Sequence, residues 1–217
     1  TLNGVRVTKL NADGSAAGDI DVQNLRASAA LAAGAAPKVQ LTGGMQHGGK
    51  QFGLEGDLTL TGLFGSGEEL ITPRTLRPVG TITLRDVPTA LAGLFMAPAT
   101  PAPGEPAPLD VPATIADAIG PAVTVAVRTA ASGDDALAIT ADVTAARLTA
   151  SAGATLAPDR LNVTKVGAES RLEPATANAL LARFMPVENG STPPRLAAPS
   201  KVTVSVAPFA IPMDGLS

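Results

Sequence analysis

Two adjacent glycines constrain this chain more than any other feature. Gly48-Gly49 sits between two runs of alternating residues, and a Gly-Gly pair is a preferred two-residue hairpin loop because both positions take positive φ without cost. A two-residue loop leaves one register. It sets His47 opposite Lys50, Met45 opposite Phe52, Gly43 opposite Leu54, Leu41 opposite Gly56 and Val39 opposite Leu58. One face of the hairpin then carries Val39, Leu41, Met45, Phe52, Leu54, Leu58 and Leu60. The other carries Lys38, Gln40, Thr42, Gln46, Gln51, Glu55, Asp57 and Thr59. A slip of one residue would mix the two sets. The pattern predicts an antiparallel sheet with one dry face and one wet face.

Alternation of the same kind recurs along the chain. Leu2 to Leu10 reads as a strand with a slip near Gly4. Gly18 to Ala30 reads as another, with Ile20 and Val22 on one side, Asp19, Asp21 and Gln23 on the other, and a slip at Asn24. A second hairpin is expected from Val123, Val125 and Val127 against Leu137, Ile139, Ala141 and Val143. A three-residue loop at Ser132-Gly133-Asp134 would set Val127 opposite Ile139 and Val123 opposite Val143. Further strands are expected over residues 147–156, 161–172 and 201–207.

Three segments break the period of two. Pro88 is followed by Leu91, Leu94 and Phe95, Pro112 by Ile115, Ala118 and Ile119, and Pro174 by Ala177, Leu180, Leu181 and Phe184. Apolar residues at +3, +6 and +7 form one helix face, and proline suits a first helical position because its missing N–H has no partner there. Each helix is too short to be stable alone. Leu91, Leu94 and Phe95 must therefore dock on an apolar surface, for which the Val39–Leu60 face is the candidate. The expected fold is mainly β: a curved antiparallel sheet, either an open groove or a partly closed sandwich or barrel, with about three short proline-initiated helices.

The 217 residues suit one β-rich unit. A proline-rich stretch at 98–109 offers a possible division into 1–97 and 110–217. The likeness of the helical segments on its two sides favours a loop between two lids of one structure. The chain starts and stops abruptly, as an excised piece of a longer protein would, and no run approaches the ~20 apolar residues of a membrane span.

Composition excludes several chemistries. With no Cys, thiol catalysis, disulfides and Cys-based zinc sites are out. His47 is the only histidine and sits beside the hairpin turn, where a polar residue is simply tolerated. Neither a Ser-His-Asp site nor a zinc site can be assembled around it. Asp19 and Asp21 fit a solvated strand face. Gly65-Ser66-Gly67 lacks the Lys-Ser/Thr end of a phosphate loop, and Asp134-Asp135 suits a turn. The formal charge of −3 and 2% aromatic content leave no basic block for phosphates and little surface for stacking bases. No enzyme, cofactor or nucleic-acid partner is expected.

The strand runs Leu54-Glu-Gly-Asp-Leu-Thr-Leu-Thr-Gly62, Gly80-Thr-Ile-Thr-Leu-Arg-Asp-Val-Pro88 and Ala138-Ile-Thr-Ala-Asp-Val-Thr-Ala-Ala-Arg-Leu-Thr-Ala-Ser151, the last with Leu172-Glu-Pro-Ala175 downstream, resemble the repeats of AsmA-like and TamB-like bacterial envelope proteins. The resemblance covers most of the chain and lies in texture rather than in a diagnostic motif. The proline-rich insert and the high alanine content depart from it. It implies a periplasmic protein anchored in the inner membrane through parts outside this chain, with an apolar β-groove that carries lipid acyl chains toward the outer membrane. The groove lining would be Val39, Leu41, Met45, Phe52, Leu54, Leu58, Leu60, Val123, Val125, Val127 and Ile139. The lids would be Leu91, Leu94, Phe95, Ile115, Ile119, Leu180, Leu181 and Phe184. From the residues alone the same face suits the core of a sandwich closed by a second sheet, and the protein would then be a structural or adhesive β-domain.

Overall fold

The computed structural model describes residues 3–10, 16–32, 35–62, 77–91, 94, 111–133, 136–184 and 195–213. Expectations for Gly65–Gly67, Phe95, the 98–109 stretch and Asp134-Asp135 lie outside them, as do the side chains of Leu180 and Phe184. The described residues form one curved antiparallel sheet of eleven strands that does not close. In order they are β1 (Val5–Leu10), β2 (Ala16–Ala30), β3 (Lys38–His47), β4 (Lys50–Thr61), β5 (Arg77–Pro88), β6 (Ala122–Ala131), β7 (Leu137–Ala145), β8 (Leu148–Leu156), β9 (Arg160–Leu172), β10 (Ser200–Val206) and β11 (Phe209–Pro212). Ten strands pair in chain order, and β11 lies beside β9 beyond the end of β10. A 3-10 turn covers Thr89–Leu91; α1 spans Val111–Ile119 and α2 spans Pro174–Phe184.

The β3–β4 hairpin has the register that Gly48-Gly49 imposes, from His47 opposite Lys50 to Val39 opposite Leu58. Both glycines have positive φ, 55° and 76°. The β6–β7 hairpin differs from expectation by two residues. Ser132 N–H donates to Ala136 O (2.9 Å), and the ladder begins at Ala131 opposite Leu137. The loop is therefore five residues rather than three, and Val127 faces Ala141 while Val125 faces Val143. A shift of two preserves parity, so both apolar sets still share one face.

The slip expected at Asn24 is a bulge. Asn24 has φ of 54°, and the β2–β3 register shifts between Gln23 and Arg26. A matching bulge in β5 has Asp86 at φ 56°, with the β5–β6 register shifting between Leu84 and Val87. Bulges bend the strand that carries them and increase its twist, which curves the sheet around β3 and β4. Pro88 ends β5 opposite Ala122 rather than opening a helix. Thr89 N–H donates to Pro121 O (3.0 Å), and the 3-10 turn starts there. Pro112 and Pro174 do lie in the first turns of α1 and α2.

The strands on either side of the proline-rich stretch, β5 and β6, are direct neighbours, with Ile82 opposite Val127. The two halves of the chain thus share one sheet.

Candidate functional site

Directly paired residues in an antiparallel ladder point to the same side, so the registers trace one face across all the strands. That face carries Val7 on β1, Ile20 on β2, Met45 on β3 and Leu54 on β4. It continues through Ile82 on β5, Val127 on β6, Val143 on β7 and Ala152 on β8. Val166 on β9, Val204 on β10 and Ile211 on β11 complete it. All eleven groove-lining candidates named from the sequence lie on this one face. At ~4.8 Å per strand, its ten-strand path is roughly 40 Å long.

The opposite face is polar and carries cross-strand ion pairs. Arg6 Nε donates to Asp21 Oδ1 (2.7 Å), Arg85 Nη2 to Glu55 Oε2 (2.7 Å), and Lys201 Nζ lies 2.7 Å from Glu169 Oε2. Arg128 pairs with Asp142 in the same way. Asp21 raises the Arg6 pKa, first through that hydrogen bond and then through its charge, with Asp19 adding to it. These pairs are exposed to water, which screens them and leaves them little net effect on stability. Their role is to keep this face wet. Asp19 and Asp21, expected on a solvated face, belong to the Arg6 pair.

The apolar face has almost no cover. Of its eleven lining candidates only Phe52 is buried, at 7% exposure; the other ten are half-buried. No side chain among the described residues is less than 2% exposed. A closed sandwich of this length would bury many. The described residues contain no second sheet, and β1 and β10 do not meet. The sandwich core and the closed barrel are therefore not what the strands build.

The helical cover lies along one rim; at the opposite rim Leu137 is also buried, at 7% exposure. The 3-10 turn follows the end of β5, α1 leads into β6, and α2 follows β9, all at the same ends of the strands. Leu91 (7% exposed) and Leu94 (6%) pack on Phe52, with Ile20, Met45 and Val87 around them. This is the docking that the Pro88 spacing required. Leu94 fits because Gly18 has no side chain: a Cβ there would collide with the Leu94 methyl group. α1 lies against the 3-10 turn, β9 and α2. Its last carbonyls accept from Arg147, whose N–H reaches Ile119 O (3.1 Å) and whose Nη1 reaches Asp117 O (2.5 Å). Ile115, Ile119 and Leu181 are half-buried there, and Ala177 is buried. The opposite rim, at Lys38, Thr61, Arg77 and Arg160, carries no helix among the described residues.

His47 has a structural role that its position at a turn did not reveal. Its Nδ1 donates to Asp19 O (2.7 Å) and ties the end of β3 to β2 beside Gly18. Between the two bulges, Gln23, Asn24, Gln51 and Asp86, together with Met45 and Phe52, line an open dimple of about 450 Å³. No group of three His, Cys, Asp or Glu side chains suited to a metal ion occurs among the described residues.

The Phe52 cluster should dominate the local stability of this rim. Phe52→Ala removes the ring against which Leu91 and Leu94 rest, at a cost of about 3 kcal/mol, the lower end for a buried Phe→Ala change because the cluster is small. Chemical denaturation measures that loss. Amide exchange should show protection lost first at residues 89–91 rather than in β7–β8, and uniform loss would mean that the rim is not a separate unit.

Comparison with family models, with curated proteins and with solved structures returns no match for the chain.

Proposed function

We propose that this chain is a segment of a cell-envelope protein whose apolar sheet face holds lipid acyl chains, in lipid transfer or outer-membrane biogenesis. The observation that carries the proposal is the continuous, half-exposed apolar face of β1–β11, backed by a polar, ion-paired face. An exposed apolar surface of this extent is uncommon on a soluble monomer and marks an interaction site. An acyl chain suits it. The site needs no directional polar contact, and each CH₂ withdrawn from water contributes ~0.8 kcal/mol when fully buried. On β6–β8 that face carries no charged residue, and Lys50 lies at the hairpin end of β4, so a headgroup stays outside the middle of the face, in water. In this proposal the protein resides in the periplasm and is anchored in the inner membrane through parts outside this chain. Its partner is lipid rather than nucleic acid, and it uses no cofactor.

The test is direct. A photoactivatable residue at Leu58, on the apolar face, should cross-link acyl chains in a bacterial envelope extract, and mass spectrometry should identify the lipid. The same group at Asp57, one residue along and on the polar face, should not. Equal labelling at both positions, or none at Leu58 in protein purified intact, would leave the structural or adhesive β-domain as the better account.

A further inference from the structure

The two outer edges of the sheet are not alike. On β1, Lys9 follows Val5 and Val7 on the apolar face, and its neighbour β2 bulges against it at Ala17, between the Lys9–Gly18 and Leu10–Ala16 pairs. A lysine and a bulge are standard defences of an edge strand against pairing. β10 has neither defence within its ladder. Its seven residues pair with β9 without a shift, from Ser200 opposite Leu172 to Val206 opposite Val166. Lys201, its one charge, points to the polar side, where Glu169 holds it at 2.7 Å. Val202, Val204 and Val206 are 40%, 55% and 47% exposed. β11 lies end to end with β10 along β9 and leaves the outer edge of β10 without a partner strand among the described residues. A flat, undefended, β-branched edge is a template for another strand.

We infer that β10 is the interface between two copies of this chain, paired with itself across a two-fold axis. The sequence of the strand is self-complementary in that arrangement. An antiparallel ladder centred on Thr203 sets Val202 opposite the second copy's Val204, Lys201 opposite its Ser205, and Thr203 opposite its Thr203. In the central pairs apolar residues meet apolar and polar meet polar; only the outermost pair, Ser200 opposite the second copy's Val206, is mixed. The two lysines do not face each other, so the like-charge penalty is avoided. Pro199 and Pro208 bracket the strand. Neither has an N–H to extend the ladder, which limits it to the seven residues of β10. Such an interface is isologous and closes after two copies, while Lys9 and the bulge discourage further growth at β1. A two-fold axis perpendicular to the sheet also keeps both apolar faces on the same side. The dimer would carry one uninterrupted face of twice the length. The inference rests on the strand edge alone and does not require lipid.

The chain has no cysteine, so a single introduced one reports only on contacts between copies. Opposed residues in an antiparallel pair have Cα atoms about 4.5–5.5 Å apart, within the range a disulfide bridges. Under mild oxidation Thr203→Cys should convert to covalent dimer, whereas Val7→Cys, on the opposite edge and similarly exposed, should stay monomeric. Sedimentation of the unmodified chain, free of lipid, should show a concentration-dependent dimer. Val204→Lys, at an exposed position, should weaken that dimer about tenfold or more. Monomer at every concentration, or Thr203→Cys cross-linking no faster than Val7→Cys, overturns the inference. So does faster cross-linking between the two cysteine variants in a mixture, which would mean head-to-tail pairing of β10 with β1.

Discussion

Gly80→Ala should be the most damaging single-methyl change in the described sheet, with a loss of about 4 kcal/mol. Gly80 lies in β5 opposite Leu58 on one side and Thr129 on the other, near the middle of the strand order. Its φ is 148°, a conformation that L-residues rarely adopt. A Cβ there would press into the carbonyl oxygen of Asp57 and the Cα of Leu58, both backbone atoms of β4. Backbone strain contributes about 1–3 kcal/mol, and forcing two strands apart about 1–3 kcal/mol more. Gly133→Ala is the control: φ is also positive, at 74°, but nothing lies within 4 Å of the added methyl. It should cost about 1–2 kcal/mol. Urea unfolding of the two variants measures the difference, and equal losses would show that the close approach at Gly80 is absent in solution.

Nothing in the sequence distinguishes Gly80 from any other glycine in a strand, because the contact that matters comes from Asp57 and Leu58 on β4, far back along the chain. Legibility throughout this chain follows the same division between local and distant causes. The β3–β4 register is readable because a two-residue loop with two positive-φ glycines admits one pairing. The β6–β7 register is not, because Ser132-Gly133-Asp134 resembles a short loop while the closing bond spans Ser132 to Ala136. Asn24 shows as a slip in the alternation of β2. Asp86 does not, because Leu84-Arg85-Asp86-Val87 ends its strand before the pattern can re-establish itself. β11 escapes notice because it has only four residues, Phe209–Pro212, begins directly after Pro208 and ends in a proline itself. The groove candidates share a face because alternation is local and survives an error of two residues. Whether anything covers that face is a tertiary property. The alternation of Val, Leu and Ile reads the same in a sandwich core and in an open groove.

Ala150, Ala152 and Ala154 on β8, with Ala141 and Ala168 beside them, make part of the open face shallow. Small side chains bury little area, so this part of the sheet gains little from its own packing and depends on the backbone ladder. The proposed ligand completes the missing layer, and the sheet and the acyl chains should stabilise one another through binding linkage. Val125→Asp tests this at the centre of the face. Val125 lies between Leu84 on β5 and Val143 on β7 and is half-buried. A carboxylate there remains hydrated in the empty protein but loses water when an acyl chain lies over it, and unpaired burial of a charge costs several kcal/mol. Affinity for a fluorescent fatty-acyl probe should fall at least about tenfold, or ~1.4 kcal/mol, and the heat stability conferred by added lipid should disappear. Thr140→Asp places the same charge on the polar face, opposite Arg128, and should leave both unchanged. If Val125→Asp retains full affinity, acyl chains do not occupy this face. If both variants lose it equally, the cause is a general weakening of β6–β7 rather than a charge set against hydrocarbon.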